Sequence, residues 1–181
     1  MSKKLYIIPG HGAGDPGACA GGYKEADLVR QLAARLKAWG GAKVVRAPYK
    51  RDFYADTGIT RMVRSTKKWL IVELHMDSAS SSAKGAHVIQ YKQTSAGKAT
   101  AKAVAEMLPG RADSLVIRSD LANPKRAAAK GYEYMLVECG FITNSHDRKW
   151  LLANMDEIAK AILKANGITP RKTPLKVKCP W

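Results

Sequence analysis

The chain alternates between short apolar runs and longer segments whose apolar residues recur every three or four positions. Leu5-Tyr6-Ile7-Ile8 is the first run; it stops at Pro9-Gly10 and reads as a buried strand ending in a turn. Across residues 23–39, Leu28, Val29, Leu32, Ala33 and Leu36 make one stripe, with Lys24, Arg30, Gln31 and Lys37 turned away. Gly40-Gly41 closes the helix this predicts. Residues 43–47 form a short strand centred on Val44-Val45, residues 48–56 a polar and aromatic loop, and residues 58–67 suit a short helix. Trp69-Leu70-Ile71-Val72 is the next buried strand, leading through Glu73-Leu74 to His75, and the serine-rich residues 76–84 read as a loop. Residues 86–91 alternate as a strand, residues 96–108 are helical up to Pro109-Gly110, and Leu115-Val116-Ile117 is a short strand. Residues 119–131, basic and alanine-rich, suit either a short helix or an exposed loop. Tyr134-Met135-Leu136-Val137 is the last strand. Asn144 or Ser145 can cap a short helix through Leu152, and residues 156–165 form the final helix before Asn166-Gly167.

Short apolar strands alternating with helices predict an α/β fold: a single domain with a twisted, mostly parallel sheet and helices on both faces. Right-handed crossovers put the strand C-termini on one edge, where ligands gather in open α/β sheets. His11, His75 and Glu138 all fall on that edge, and Glu25 begins the helix that faces it.

Composition changes this picture in two ways. The 46% apolar share is ordinary, but the net charge of +16 predicts attraction to a polyanion. The basic residues are spread without a long Lys/Arg block, so a nucleic-acid-binding tail is not supported and no nucleic-acid partner is expected. The three cysteines, Cys19, Cys139 and Cys179, are odd in number and lack CxxC spacing, which argues for reduced thiols and against a cysteine-rich metal site. The basic start Met1-Ser2-Lys3-Lys4 is followed by an apolar run too short for a signal peptide, and no stretch is long enough to span a membrane.

The chemistry lies on the edge. His11 sits in a loop with Gly10, Gly12, Gly14 and Gly17. Two histidines and one carboxylate are a ligand set for catalytic zinc, with water in the fourth position. Such an ion lowers the pKa of its water and polarises a carbonyl. A second glutamate that does not bind the metal suits amide hydrolysis, as general base and acid. His11, Glu25, His75 and Glu138 supply this set, and no HExxH motif competes with it. Blander readings fit the rest. His87 reads as a surface or partly packed strand residue, His146 as a capping or solvated one, and Cys139 as a small packed thiol. Asp77, Thr143 and Asn144 could lie near the metal but are given no catalytic roles.

These residues resemble a family. The Gly10-His11-Gly12 loop with Asp15 and Gly17, Glu25, Leu74-His75, and Val137-Glu138-Cys139-Gly140-Phe141-Ile142-Thr143-Asn144 are similar to zinc-dependent N-acetylmuramoyl-L-alanine amidases of the Amidase_3 type. The likeness runs from about Leu5 to Leu163. It implies zinc held by His11, Glu25 and His75, with Glu138 as catalytic acid/base. It also implies cleavage of the amide between N-acetylmuramic acid and L-alanine in peptidoglycan. Residues 1–167 would be the catalytic domain and residues 168–181 a basic, proline-containing tail or linker. The chain departs from the family pattern in two places. An acidic residue is usual three before the first histidine, where Ile8 stands. Ser-Ile-His-x-Asn-Ala is usual around the second, where Glu73-Leu74-His75-Met76-Asp77-Ser78 stands.

Charge and the absence of a leader suggest a phage or prophage endolysin. It would be made in the host cytoplasm and released to the cell wall, where anionic polymers such as teichoic acids would hold it. The alternatives are another zinc amidohydrolase or carboxypeptidase on the same scaffold, or a non-catalytic basic protein that binds polyanions.

Overall fold

The computed structural model describes residues 4–55, 57–61 and 69–178. Its elements are β1 (Lys4–Pro9), β2 (Cys19–Ala20), β3 (Tyr23–Lys24), α1 (Glu25–Gly40), β4 (Val44–Arg46), α2 (Gly58–Arg61) and β5 (Trp69–Asp77). There follow β6 (His87–Gln90), α3 (Ser95–Met107), β7 (Leu115–Ile117), α4 (Ala122–Ala129), β8 (Glu133–Phe141) and α5 (Ser145–Ala165). A six-stranded sheet runs in the order β4-β1-β5-β8-β6-β7. The first four strands are parallel; β6 is antiparallel to β8, and β7 is parallel to β6. The expected single-domain, mostly parallel α/β fold is present, with helices on both faces.

The two faces are unequal. On one, α1, α5 and α3 lie side by side and bury Leu28, Leu32, Leu36, Val104, Ile158 and Ile162 against Leu70, Val72, Leu74 and Met76 of β5. Each such side chain taken from water contributes about 1.5–3 kcal/mol, so this layer dominates stability. On the other face the short helices α2 and α4 cover a smaller cluster containing Ile8, Phe53, Ile59, Ile71, Ile89 and Leu136.

Several elements differ from the sequence expectation. The first helix begins at Glu25 rather than residue 23, because Tyr23 and Lys24 pair with Ala20 and Cys19 across a tight turn at Gly21-Gly22. Both glycines have positive φ (57° and 82°), which an alanine would resist. β5 continues to Asp77, since Leu74 and Met76 keep packing on the thick face while the neighbouring residues turn the other way. β6 is buried at all four positions, not alternating, because the sheet passes between two layers there. Residues 122–129 are helical, so the helix alternative holds for most of the 119–131 stretch. The two C-terminal helices are one, α5, with non-helical backbone at Asn154 (φ −123°, ψ 21°), whose amide donates to the Trp150 carbonyl at 2.8 Å. Asn144 caps it, accepting from the N–H groups of His146 and Asp147. Of the expected helix over residues 58–67, Gly58–Arg61 is present and residues 62–67 lie outside the described residues, as does Cys179. Cys19 and Cys139 are free thiols. Beyond α5, Ile168 is buried, and the N–H groups of Arg171 and Leu175 donate to the carbonyls of Trp39 and Ala38 at 2.9 and 3.0 Å. No described helix is long and apolar enough to cross a membrane.

Candidate functional site

The parallel strands deliver their C-terminal ends to one place. β1 stops at Pro9, and the Gly10 N–H still donates to the Leu74 carbonyl of β5 at 2.9 Å. A side chain on Gly10 would collide with the His75 ring, so the bare backbone makes room for the imidazole. His11 follows with φ 60°, a left-handed conformation uncommon outside glycine that turns its ring back over the sheet edge. Gly17, at φ 64°, faces the His11 ring and Glu25, where a Cβ would come within 2.7 and 2.8 Å of them.

Glu25 lies between the two histidines. His11 Nε2 is 3.0 Å from Glu25 Oε2, and His75 Nδ1 is 2.9 Å from Glu25 Oε1. One potential ligand atom from each of the three lies within 4.8 Å of the others, the size of a single-ion site. Glu25 opens α1, where the helix dipole favours negative charge, but it is buried and not on a solvated face. It also accepts from the N–H groups of Ala18 (3.1 Å) and Met76 (3.0 Å). Burial pushes its carboxyl up, yet the hydrogen bonds and charge of His11 and His75 outweigh that and hold it well below the usual carboxylate range. The histidines respond in kind. Burial pushes both down, and their carboxylate partners bring both above the usual imidazole value, His75 by much more.

The outward-facing nitrogens are occupied too. Asp15 Oδ2 is 2.7 Å from His11 Nδ1, and Glu73 Oε1 is 3.2 Å from His75 Nε2. Metal-binding histidines characteristically give their second nitrogen to a carboxylate, which fixes the tautomer and ring angle. With two imidazoles and one carboxylate converging, each imidazole backed in this way, the residues fit a divalent ion such as zinc.

Glu138 stands beside His75 in register on β8. It is buried, and its Oε2 has no hydrogen-bond partner among the described residues. Burial pushes its carboxyl up to about 8; the His75 charge opposes this, and the charges of Asp77, Glu25 and Glu73 add to it. A carboxyl of this kind is poised to exchange protons near neutral pH.

His87 is not a surface residue. Because β6 runs antiparallel, its first residue pairs with Glu138 and is 2% exposed. It stacks on Phe141 and lies 3.6 Å from Asp77 Oδ2. Burial and the Arg111 charge push it down to about 4, so it is neutral at physiological pH. His146 has a 71% exposed side chain. Cys139 is buried and its thiol is pushed far up, chiefly by burial, as an inert packed group should be. Thr143 and Asn144 anchor the loop after β5, accepting from the Ala79 N–H and donating to the Ser81 carbonyl.

Sequence reasoning missed Glu73 and its partners. Asn123 Nδ2 donates to both Glu73 oxygens at 3.0 and 3.1 Å, and the Tyr134 hydroxyl donates at 2.5 Å. The available signal was the alternation Glu73-Leu74-His75-Met76-Asp77, which puts both acids on the His75 face of a strand. Asn123 and Tyr134 carried no local signal. Beside His11 and His75 opens a cavity of about 310 Å³ whose lining includes Phe53, Tyr54, Leu121, Leu136 and Asn123.

Residues 5–169 match the Amidase_3 family, N-acetylmuramoyl-L-alanine amidase. The chain belongs to this family. Among curated proteins it is 30% identical over 184 residues to Probable autolysin PH of Staphylococcus aureus, the match covering 90% of this chain and 38% of that protein. It is 33% identical over 104 residues to the endolysin of Bacillus phage SPP1, covering 55% of this chain and 38% of that one. The chain thus spans well under half the length of these relatives. Among solved structures, an N-acetylmuramoyl-L-alanine amidase from Clostridium difficile matches with a TM-score of 0.74 at 19% identity, over 91% of this chain and 94% of that one. The catalytic domain of the amidase CwlV from Bacillus (Paenibacillus) polymyxa matches at 0.72 and 19%, over 90% and 95%. At such identities these likenesses speak for the amidase fold.

Proposed function

We propose that the protein is a zinc-dependent N-acetylmuramoyl-L-alanine amidase, cleaving the amide between N-acetylmuramic acid and L-alanine in peptidoglycan. The observation that carries this is the convergence of His11, Glu25 and His75 at one point, with the buried carboxyl of Glu138 alongside, its Oε2 without a hydrogen-bond partner among the described residues, in a chain of the amidase family. His11, Glu25 and His75 would hold the ion. When bound, zinc supplies a Lewis acid for the scissile carbonyl and makes water a better nucleophile. Glu138 takes the proton of the attacking water and delivers it to the departing nitrogen, which leaves poorly without one. Asp15 and Glu73 hold the imidazoles, and the cavity beside them takes the substrate's apolar groups.

Residues 1–167 would form the catalytic domain and residues 168–181 a basic, proline-containing tail or linker. The match to a phage endolysin supports an endolysin-like role: synthesis in a host cytoplasm and action at the wall after release. The charge of +16 supports retention by wall anions, teichoic acids among them.

Digestion of purified peptidoglycan tests the reading. New N-terminal alanine without new reducing sugars is expected, and chelator should abolish release. New reducing ends would replace the amidase reading with a glycosidase. Release of C-terminal amino acids would point to a carboxypeptidase on the same scaffold, and binding without cleavage to a polyanion-binding protein.

A further inference from the structure

The buried carboxylate of Glu73 has more partners than its burial alone explains. It lies two residues before His75 on the same face of β5, with its side chain 4% exposed. An ionised carboxylate there is costly unless it is hydrogen-bonded. Asn123 of α4 and Tyr134 of β8 together donate three hydrogen bonds to it. Asn123 is itself held, since its Oδ1 accepts from Arg126 Nη1 at 3.2 Å, and Arg126 also donates to the Tyr54 carbonyl at 2.8 Å. This set would satisfy the acid without His75. Yet Oε1 also reaches His75 Nε2, and does so on the side of the ring away from Glu25.

We propose that Glu73 is a positioning residue of the metal centre, holding His75 by Nε2 so that Nδ1 faces the ion. This rests on the reading of His75 as a ligand. Asn123 and Tyr134 orient Glu73, which links α4 and the cavity wall to the geometry of the ion.

Zinc affinity, measured by competition with a chromophoric chelator, tests it apart from activity. Glu73→Gln and Glu73→Ser should bind zinc about 10–100-fold more weakly, as loss of such carboxylates does. In the zinc-loaded parent protein, ¹⁵N-imidazole NMR should show His75 protonated on Nε2 and metallated on Nδ1, a readout that needs no variant. Parental zinc affinity in both variants, or His75 metallated on Nε2, would overturn the positioning role. Zinc binding unchanged by His75→Ala would instead remove the ligand reading on which the proposal stands.

Discussion

The two faces of β5 and β8 share a backbone and do different work. On the face toward α1, α3 and α5, the positions Leu70, Val72, Leu74 and Met76 of β5 and Met135, Val137 and Cys139 of β8 stay apolar to the C-terminal edge. On the opposite face Ile71, Tyr134 and Leu136 give way to Glu73, His75 and Glu138. The first face is a dry layer of interlocking aliphatic groups, whose energy grows with area and tolerates no charge. The second is thin, closed by two short helices; Glu73 and His75 are hydrogen-bonded to each other and to Asn123, Tyr134 and Glu25, while Glu138 Oε2 has no partner among the described residues. A period of two residues lets one strand do both, so the thick face holds steady the groups that the thin face displays.

Substitutions on each face should separate these contributions. The largest effect is expected from His75→Ala, which removes one of the three proposed ligands and should abolish most zinc binding while the fold survives, since the thick face is untouched. Zinc content of the purified variant by elemental analysis checks this, and full occupancy would break the assignment of chemistry to the thin face. Glu138→Gln should slow hydrolysis by at least about a hundredfold, with zinc and wall binding retained. Glu25→Gln should lose zinc as well as activity. Were Glu138→Gln to lose zinc and Glu25→Gln to keep it, the two glutamates would exchange roles.

Leu74→Ala, between Glu73 and His75 but facing the other way, should cost about 2–5 kcal/mol of stability. Its zinc affinity at a temperature where it remains folded should match the parent. Denaturant unfolding and chelator competition on the same sample measure both sides of the comparison, and a parallel loss of zinc would show that the faces are coupled.

A smaller effect concerns pH. Glu138 titrates at about 8 in the fold, against about 4.5 for an ordinary glutamate. Between those values the folded chain holds a proton that the unfolded chain has released. The contribution is therefore fully present below about 4.5 and is lost as pH rises through about 8. Chelated protein should lose thermal stability over that range. Glu138→Gln, which cannot ionise, should melt at least about 3 °C higher than the parent at alkaline pH and show a flatter profile. An unchanged slope by calorimetry would mean that Glu138 is not the group responsible. The smallest effect lies away from both faces: lysis of whole cells should weaken as salt rises, because exposed charges are screened over about 10 Å at 0.1 M. Lysis flat with salt would remove anchoring by charge and leave the enzymology intact.

How far the site was legible depended on whether a residue's role is local. His11 and His75 declare themselves by following apolar runs, and Glu138 opens a recognisable segment, because a strand end is visible in the order of residues. Glu73 was visible in the alternation of β5 and passed over. His87 was misread because the start of a strand lies on the active edge only if that strand is antiparallel, and direction is set by pairing with β8, not by residues 86–91. The kink at Asn154 was legible as a break in the helical pattern, but packing against α1 and α3 decided that the helix continues through it.

By itself the sequence determined the alternation of strands and helices, the parallel architecture and the edge on which histidines and carboxylates collect. All of these follow from apolar periodicity and from backbone rules that act over a few residues. Only the tertiary structure decided which acids meet which nitrogens. Glu25 reaches both imidazoles, Asp15 and Glu73 back them, and Ile8 and Glu73 stand side by side although 65 positions apart. Those meetings depend on sheet register and on helices docked across it, and a shift of one residue would turn Glu73 and His75 into the opposite, apolar layer.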